Sequence, residues 1–324
     1  MKREVIVTLA DKNYLDQAKQ LFSSVYWNAG WQGDYMLLSH EVPEEELRWF
    51  TERGIIVRRC VPIRQREVGY KKHSPAILDK FYLFTPEFKR WKNVVFLDSD
   101  MIVRASLDRL KRLEGFAATH MHRRTLGEAL QNYNRMDERG YERKLDGIRK
   151  EYDLGKQTFN TGIMAFSTSL IREDTFKVLL GIFDEIEDIS CSNEESVLNI
   201  YFYRRWKRLP RAYNVFVNIT ESYGIKPEDT KGIVLHFIAE NHHPWLAKSP
   251  FYDEWIGSRR RAETMDVSRH REAVSVWSGL DMLKLELYFR SKSNHAFRIF
   301  DRCLGRAGRL LRASTGIFKE DRHN

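Results

Sequence analysis

The chain has 324 residues, a hydrophobic share of 42%, and 54 Lys and Arg against 45 Asp and Glu, for a formal net charge of +9. This length suits one domain of about 250 residues with an appendage, and the apolar share is ample for a large core. Three scattered cysteines, Cys60, Cys191 and Cys303, lack metal-ligand spacing and argue against a disulfide framework. No apolar run is long enough to span a bilayer and no apolar leader precedes the first strand signal, so the expected location is cytoplasmic.

Strand and helix signals alternate from the start. A strand over 4–10 (Glu4-Val5-Ile6-Val7-Thr8-Leu9-Ala10) gives way to an Asp11-Lys12-Asn13 turn, Tyr14 and an amphipathic helix running to about Asn28. A strand near 34–39, a helix near 43–53 and a strand near 55–60 follow. This βαβ traffic predicts an α/β fold on a mostly parallel sheet. Residues 76–84 read as a helical stretch carrying Lys80, and Val94-Val95-Phe96-Leu97 as a strand buried on both faces. The segment 120–156 is charged, with helical stretches around 126–139 and 141–152. It is expected either to overhang the site as a substrate-binding lid or to form a solvated helical excursion. Residues 159–166 and 233–237 read as further buried strands, the first with a polar interruption, Asn160-Thr161-Gly162. Two regions result: 1–255, containing the 120–156 insertion, and a helical basic region over 256–324.

The strand over 94–97 ends abruptly in Asp98-Ser99-Asp100. Two carboxylates spaced i, i+2 at the carboxyl end of a buried strand lie where open α/β sheets place ligands. Unpaired, they would repel each other and be costly to desolvate; Mn²⁺ or Mg²⁺ removes that penalty, because hard cations take oxygen ligands. Alone, the tripeptide also suits a helix cap or a solvated turn. His236, ending another apolar strand, offers a ring nitrogen, a donor that favours Mn²⁺ over Mg²⁺. Alone, it reads as a core histidine bonded to a carbonyl. Tyr14 follows a turn that can bring it over a flat base, where stacking contributes about 1–3 kcal/mol; the bland alternative is packing of the first helix. Asn160 offers both a hydrogen-bond donor and an acceptor, and Gly162 permits close backbone approach; a strand-entry turn is the plain alternative.

In this order and roughly this spacing, the segments around 4–14, 94–100, 159–166 and 233–245 resemble the retaining family 8 glycosyltransferases. That group contains glycogenin and the bacterial lipopolysaccharide galactosyl- and glucosyltransferases. The resemblance covers residues 4 to about 250 and implies a GT-A fold, a nucleotide-sugar donor that is usually UDP-linked, Mn²⁺, and retention at the anomeric carbon. It implies Asp98, Asp100 and His236 as metal ligands. It places Thr8, Leu9, Ala10, Tyr14, Lys80, Ser99, Thr161 and His243 against the nucleotide sugar, and Asn160, Glu194 and Glu195 near the transferred sugar.

Two departures stand out. Where the family usually has Asp-Gln, this chain has Glu194-Glu195. Glu194 is one methylene longer than Asp, and Glu195 is a carboxylate able to attack a sugar carbon where the family's glutamine is a poor nucleophile. After His236 the familiar pattern has a glycine and then a lysine before Pro-Trp; here Ala239 and His243 take those places in a stretch one residue longer. A neutral histidine neutralises phosphate less well than lysine, although a diphosphate would favour its cation.

The charge excess has a location: 291–324 holds eight Lys or Arg against three acids. Phe297, Phe300, Leu304, Ala307, Leu310 and Leu311 recur at helical spacing beside Arg298, Arg302, Arg306, Arg309 and Arg312. A basic amphipathic helix of this kind suits an anionic membrane surface, placing the protein peripherally at the inner face; packing on the domain or oligomerisation are the alternatives. No zinc-finger spacing or RNA-binding aromatic motif accompanies the charge, which argues against nucleic acid. The expected activity is metal-dependent transfer of a hexose, from UDP-glucose or UDP-galactose, to a glycan or lipid-linked sugar. An inverting transferase, or a catalytically weak sugar-nucleotide-binding protein at the membrane, are the competing expectations.

Overall fold

The computed structural model describes residues 2–65, 74–131 and 138–292. Its strands are β1 (Lys2–Ala10), β2 (Asp34–His40), β3 (Ile56–Cys60), β4 (Trp91–Leu97), β5 (Met101–Val103), β6 (Phe116–Thr125), β7 (Gln157–Ser167), β8 (Trp206–Arg208), β9 (Val215–Phe216) and β10 (Val234–His236). Seven of them form a mixed sheet in the order β3-β2-β1-β4-β7-β6-β8, and β5-β10-β9 form a second, small one. β1 runs parallel to both β2 and β4, β2 parallel to β3, and β7 antiparallel to both β4 and β6. Chain order therefore reverses at β1/β4, and a crevice opens beyond the carboxyl ends of those two strands, the usual ligand position in open α/β sheets.

Both faces of the large sheet are covered, which is why its central strands read as unbroken apolar runs. Val5, Val7, Val94, Phe96, Met164 and Phe166 point into one core cluster, and Ile6, Val95, Leu97, Ile163 and Ala165 into the other. The predicted helix over 13–28 resolves into a 3-10 turn, Lys12–Tyr14, an α-helix, Leu15–Ser24, and a π-turn, Val25–Ala29, which ends at Gly30 with φ +60°. The predicted helical stretch over 76–84 is a 3-10 run, Pro75–Phe84, started by Pro75 and by the Ser74 hydroxyl accepting from Ala76 N–H. Leu78, Asp79, Lys80, Phe81, Leu83 and Phe84 are all buried in it, so tertiary packing rather than an amphipathic face holds this run.

Within 120–156, the helix Glu138–Glu151 buries Tyr141, Leu145 and Ile148 in the same cluster as β4 and β7, which fastens one face to the domain, while Glu142, Asp146 and Arg149 stand exposed on the other. The expected division at 255 falls inside the helix Tyr252–Arg261, which packs on Leu15–Ser24. Met265, Met282, Leu285 and Phe289 join the same core cluster as Ile6 and Leu21. Described residues beyond 255 are thus packed onto the first unit. The basic amphipathic pattern over 297–312 lies outside the described residues. Among those described, no helix is long and apolar enough to cross a membrane.

Candidate active site

β4 delivers Asp98 and Asp100 to the crevice, and the small sheet delivers His236 to them. In the β10/β5 pairing His236 stands opposite Met101, and Phe237 N–H donates to the Asp100 carbonyl at 3.1 Å. The result is three side chains whose ligand atoms all lie within 4.8 Å of one another. His236 Nε2 is 3.2 Å from Asp100 Oδ1 and 3.9 Å from Asp98 Oδ2. Burial works to raise the Asp100 carboxyl, but His236, His243 and Lys80 outweigh it and hold the group below the usual carboxylate range. Two carboxylates and one imidazole match the mixed oxygen and nitrogen donor set of a divalent transition-metal site.

A bulge supports this corner. Ala118 pairs with Met164 but Thr119 with Asn160, so β7 carries extra residues at 161–163 relative to β6. Gly162 in that bulge accepts from Asp98 N–H at 2.8 Å and lies under the imidazole; a β-carbon there would meet His236 Cε1 at 2.4 Å. No side chain larger than hydrogen fits without moving the ring.

Lys80 is buried between acids, with Nζ 2.8 Å from Asp98 Oδ1 and 3.0 Å from Glu194 Oε1. Burial alone would favour the neutral amine, yet the two carboxylates raise this ammonium above its usual range. Glu194 Oε1 also accepts from Thr161 Oγ1 at 3.0 Å, while its Oε2 is buried with no hydrogen-bond partner among the described residues. Next to it, Glu195 Oε2 accepts from Asn160 Nδ2 at 2.9 Å and from Thr161 N–H at 3.4 Å, and Oε1 lies 3.6 Å from Arg124 Nη1. Burial pushes the Glu195 carboxyl up to about 7; Arg124 pulls it down, Glu194 adds to the rise, and Asn160 and Lys80 pull it down again.

An open cleft of about 810 Å³ has Leu9, Ala10, Asp11, Tyr14, Ser74, Ile77, Lys80, Asp98, Ser99 and Asp100 in its lining. Thr8 is not in its lining, since its buried hydroxyl donates to the Leu97 carbonyl at 2.7 Å and ties β1 to β4. Tyr14 is 37% exposed and meets Trp245 edge-on at 6.2 Å, and Trp245 stacks on His243 at 4.1 Å. Burial lowers His243 below its usual value, with Asp100 and Glu240 opposing, so the free protein holds it mainly neutral at pH 7. Asn160, Thr161, Glu194 and Glu195 stand behind the cleft, joined to it through Lys80.

The sequence profile of Glycosyl transferase family 8 matches residues 5–249. The chain belongs to that family. This family 8 glycosyltransferase is 24% identical over 310 residues to Glycosyltransferase GlyF of Streptococcus pneumoniae serotype 4, covering 91% of the chain and 67% of GlyF. Its fold is similar to the apo structure of the bifunctional glycosyltransferase WbbM, with a TM-score of 0.59 and 19% identity, covering 80% of this chain and 50% of that one. It is also similar to the galactosyltransferase LgtC, crystallised with donor and acceptor sugar analogs, with a TM-score of 0.56 and 16% identity, covering 89% of this chain and 99% of that one. The family 8 chain thus spans half of WbbM, two thirds of GlyF and nearly all of LgtC. These likenesses establish a GT-A fold.

Two residues that touch this site were not legible as site residues in the linear sequence. Arg124 reaches Glu195 from the end of β6, and Asn214, just before β9, bonds both Asn160 and His236. Neither sits in a motif, and only the sheet pairings bring them in.

Proposed function

We propose that this glycosyltransferase moves a hexose from a UDP-sugar to a hydroxyl of a glycan or lipid-linked sugar, with retention and with Mn²⁺, or Mg²⁺ in its place, held by Asp98, Asp100 and His236. The observation that carries this is the meeting of those three side chains at the end of a cleft that also contains Tyr14 and Lys80. When bound, the cation offsets charge on the departing diphosphate. The remaining work falls to the protein. Leu9, Ala10 and Tyr14 frame the base, with Thr8 acting from behind by fixing the end of β1. Lys80 and Ser99 line the diphosphate path, and His243 takes up a proton as it meets phosphate, so donor binding weakens as pH rises.

Glu194, Asn160 and Thr161 read the sugar hydroxyls; the unpartnered Glu194 Oε2 supplies an acceptor that a sugar hydroxyl satisfies. Glu195 sits beside them with one oxygen already engaged by Asn160 and Thr161, which favours front-face attack steered by the leaving diphosphate over attack by Glu195 itself. The domain division expected at 255 is best kept as a functional one: donor and metal groups before it, accessory packing and attachment after it.

Release of UDP from a panel of UDP-sugars tests the assignment. Expected is Mn²⁺-dependent hydrolysis of one donor that EDTA abolishes, with NMR of the glycosylated acceptor reporting an α product from an α donor. UDP binding without turnover of any donor, with or without acceptors, would remove the transferase assignment for this chain.

The membrane expectation has a described counterpart. In the helix over 279–292, Met282, Leu285 and Phe289 are buried, while Leu280, Leu283 and Leu287 are 59%, 53% and 55% exposed on the opposite side. Lys284 and Arg290 flank that outward stripe, an arrangement that suits the interface of an anionic bilayer. The prediction is that the full chain floats with phosphatidylglycerol-containing vesicles but not with neutral ones, and that truncation after Arg290 or the triple change of these leucines to serine cuts the bound fraction at least threefold. Undiminished flotation of both variants would count against attachment through this end of the chain.

A further inference from the structure

We infer that Asn214 is a positioning residue that sets the tautomer of His236 and couples the cation-ligating side chains to Glu195; this rests on the metal-dependent assignment proposed above. The hydrogen positions follow from one backbone group. Gly162 N–H can only donate, and it ends 2.9 Å from Asn160 Oδ1, so that atom is an acceptor oxygen. The other end of the Asn160 amide is then NH₂, and it donates to Glu195 Oε2 at 2.9 Å. Asn160 Oδ1 receives a second hydrogen bond from Asn214 Nδ2, also at 2.9 Å, and the same NH₂ donates to Thr119 Oγ1 at 2.9 Å. The oxygen of Asn214 therefore faces His236 Nδ1, at 2.8 Å.

An amide oxygen only accepts, so His236 Nδ1 carries a hydrogen. In the neutral ring Nε2 is then the lone-pair nitrogen, and Nε2 is the atom that faces Asp98 and Asp100. The opposite tautomer would set a lone pair against the Asn214 oxygen and turn an N–H toward the cation position. Asn214, His236 and Thr119 are 2% exposed or less, so water does not compete for these bonds. The chain runs Glu195, Asn160, Asn214, His236 without a break, and moving its central amide displaces both ends. Metal-ligating histidines generally depend on such a partner at the far nitrogen, and losing it costs about 10–100-fold in metal affinity or activity.

The two arms come apart in two substitutions. Asn214→Ala removes both. Asn214→Asp keeps an oxygen for the His236 N–H but places a second oxygen against Asn160 Oδ1, breaking only the arm toward Glu195. Mn²⁺ affinity is read by electron paramagnetic resonance titration, and the His236 tautomer by nitrogen–proton correlation on metal-free, ¹⁵N-histidine-labelled protein above pH 8. Transfer kinetics and thermal unfolding are followed beside them. Expected for Asn214→Ala is 10–100-fold weaker Mn²⁺ binding and a mixed tautomer, in a protein that still melts cooperatively. Expected for Asn214→Asp is Mn²⁺ binding within threefold of wild type with kcat down at least tenfold. Unchanged Mn²⁺ affinity and an unchanged Nδ1–H tautomer in folded Asn214→Ala would overturn the inference. So would a wild-type His236 protonated on Nε2 in neutral metal-free protein. Failure of wild-type protein to bind Mn²⁺ would instead overturn the underlying metal assignment.

Discussion

Replacing Asp98 and Asp100 together with asparagine is expected to lower sugar transfer by about a thousandfold, the scale of the ~4 kcal/mol that charge stabilisation at a departing diphosphate contributes. Asparagine keeps the shape and an oxygen at each position but removes both charges, so the loss reports electrostatics and not a collapsed pocket. The single changes are expected to differ in stability. Asp100→Asn leaves Lys80 with both its partners, whereas Asp98→Asn takes one of two carboxylates from an ammonium whose side chain is only 4% exposed. Breaking a pair around a buried charge is costly because the charge remains, so Asp98→Asn should melt below Asp100→Asn in the absence of metal. UDP release with Mn²⁺ and thermal unfolding of the two singles and the double measure both effects. A double variant retaining more than a tenth of wild-type turnover would sink the assignment of these carboxylates to the reaction.

What could be read along the chain was what local covalent pattern encodes. The apolar runs 4–10 and 94–97 alternate their side chains into two cores, and so much burial on both faces is visible as unbroken hydrophobicity. Asp98-Ser99-Asp100 is visible because a pair of carboxylates directly after such a run has no packing purpose. His236 was legible only in company with it. The rest depends on contacts distant in sequence. Nothing local pairs β10 with β5, yet that register places His236 beside Asp100. The bulge at 161–163 is a mismatch between two strands and exists in neither alone. Asn214 and Arg124 are ordinary loop and strand-end residues until β9 and β6 are placed, and a 3-10 run buried on all sides carries no periodic signature to separate it from α-helix.

Lys80 shows how the two halves of the site share one charge balance. Its ammonium stands between Asp98 and Glu194, so a dication held by Asp98, as proposed, would compete with Lys80 for that carboxylate, and Glu194 would be left as the partner of the ammonium. Glu195, next to Glu194 in this row, has its own carboxyl raised by burial. Its family-typical counterpart, glutamine, carries no charge to bury.

Glu195→Gln is accordingly expected to stabilise the metal-free protein at pH 8 and to leave it nearly unchanged at pH 4. A carboxyl moved from its usual 4.5 to about 7 on folding corresponds to about 3 kcal/mol. The sign follows from which form the fold prefers. The folded protein holds the Glu195 proton more tightly than the unfolded chain, so this contribution is present in full below about pH 4.5 and is lost as pH rises through about 7. Glutamine cannot ionise and keeps an oxygen for the Asn160 NH₂, so the variant should lose this pH dependence and unfold several degrees above wild type at pH 8. Arg124 gives up a partner at 3.6 Å but is partly exposed and regains water, which trims the gain. The same substitution decides the route. Under front-face attack, Glu195→Gln keeps activity within about tenfold of wild type, since hydrogen bonding at that position contributes at most ~1.4 kcal/mol to the barrier. If Glu195 instead forms a covalent bond to the sugar carbon, glutamine abolishes turnover and mass spectrometry of the quenched wild-type enzyme finds a hexose on the peptide containing Glu195. A stabilised, active variant joins the thermodynamic and kinetic outcomes in one protein: the burial of Glu195 then raises its proton affinity without making it the nucleophile.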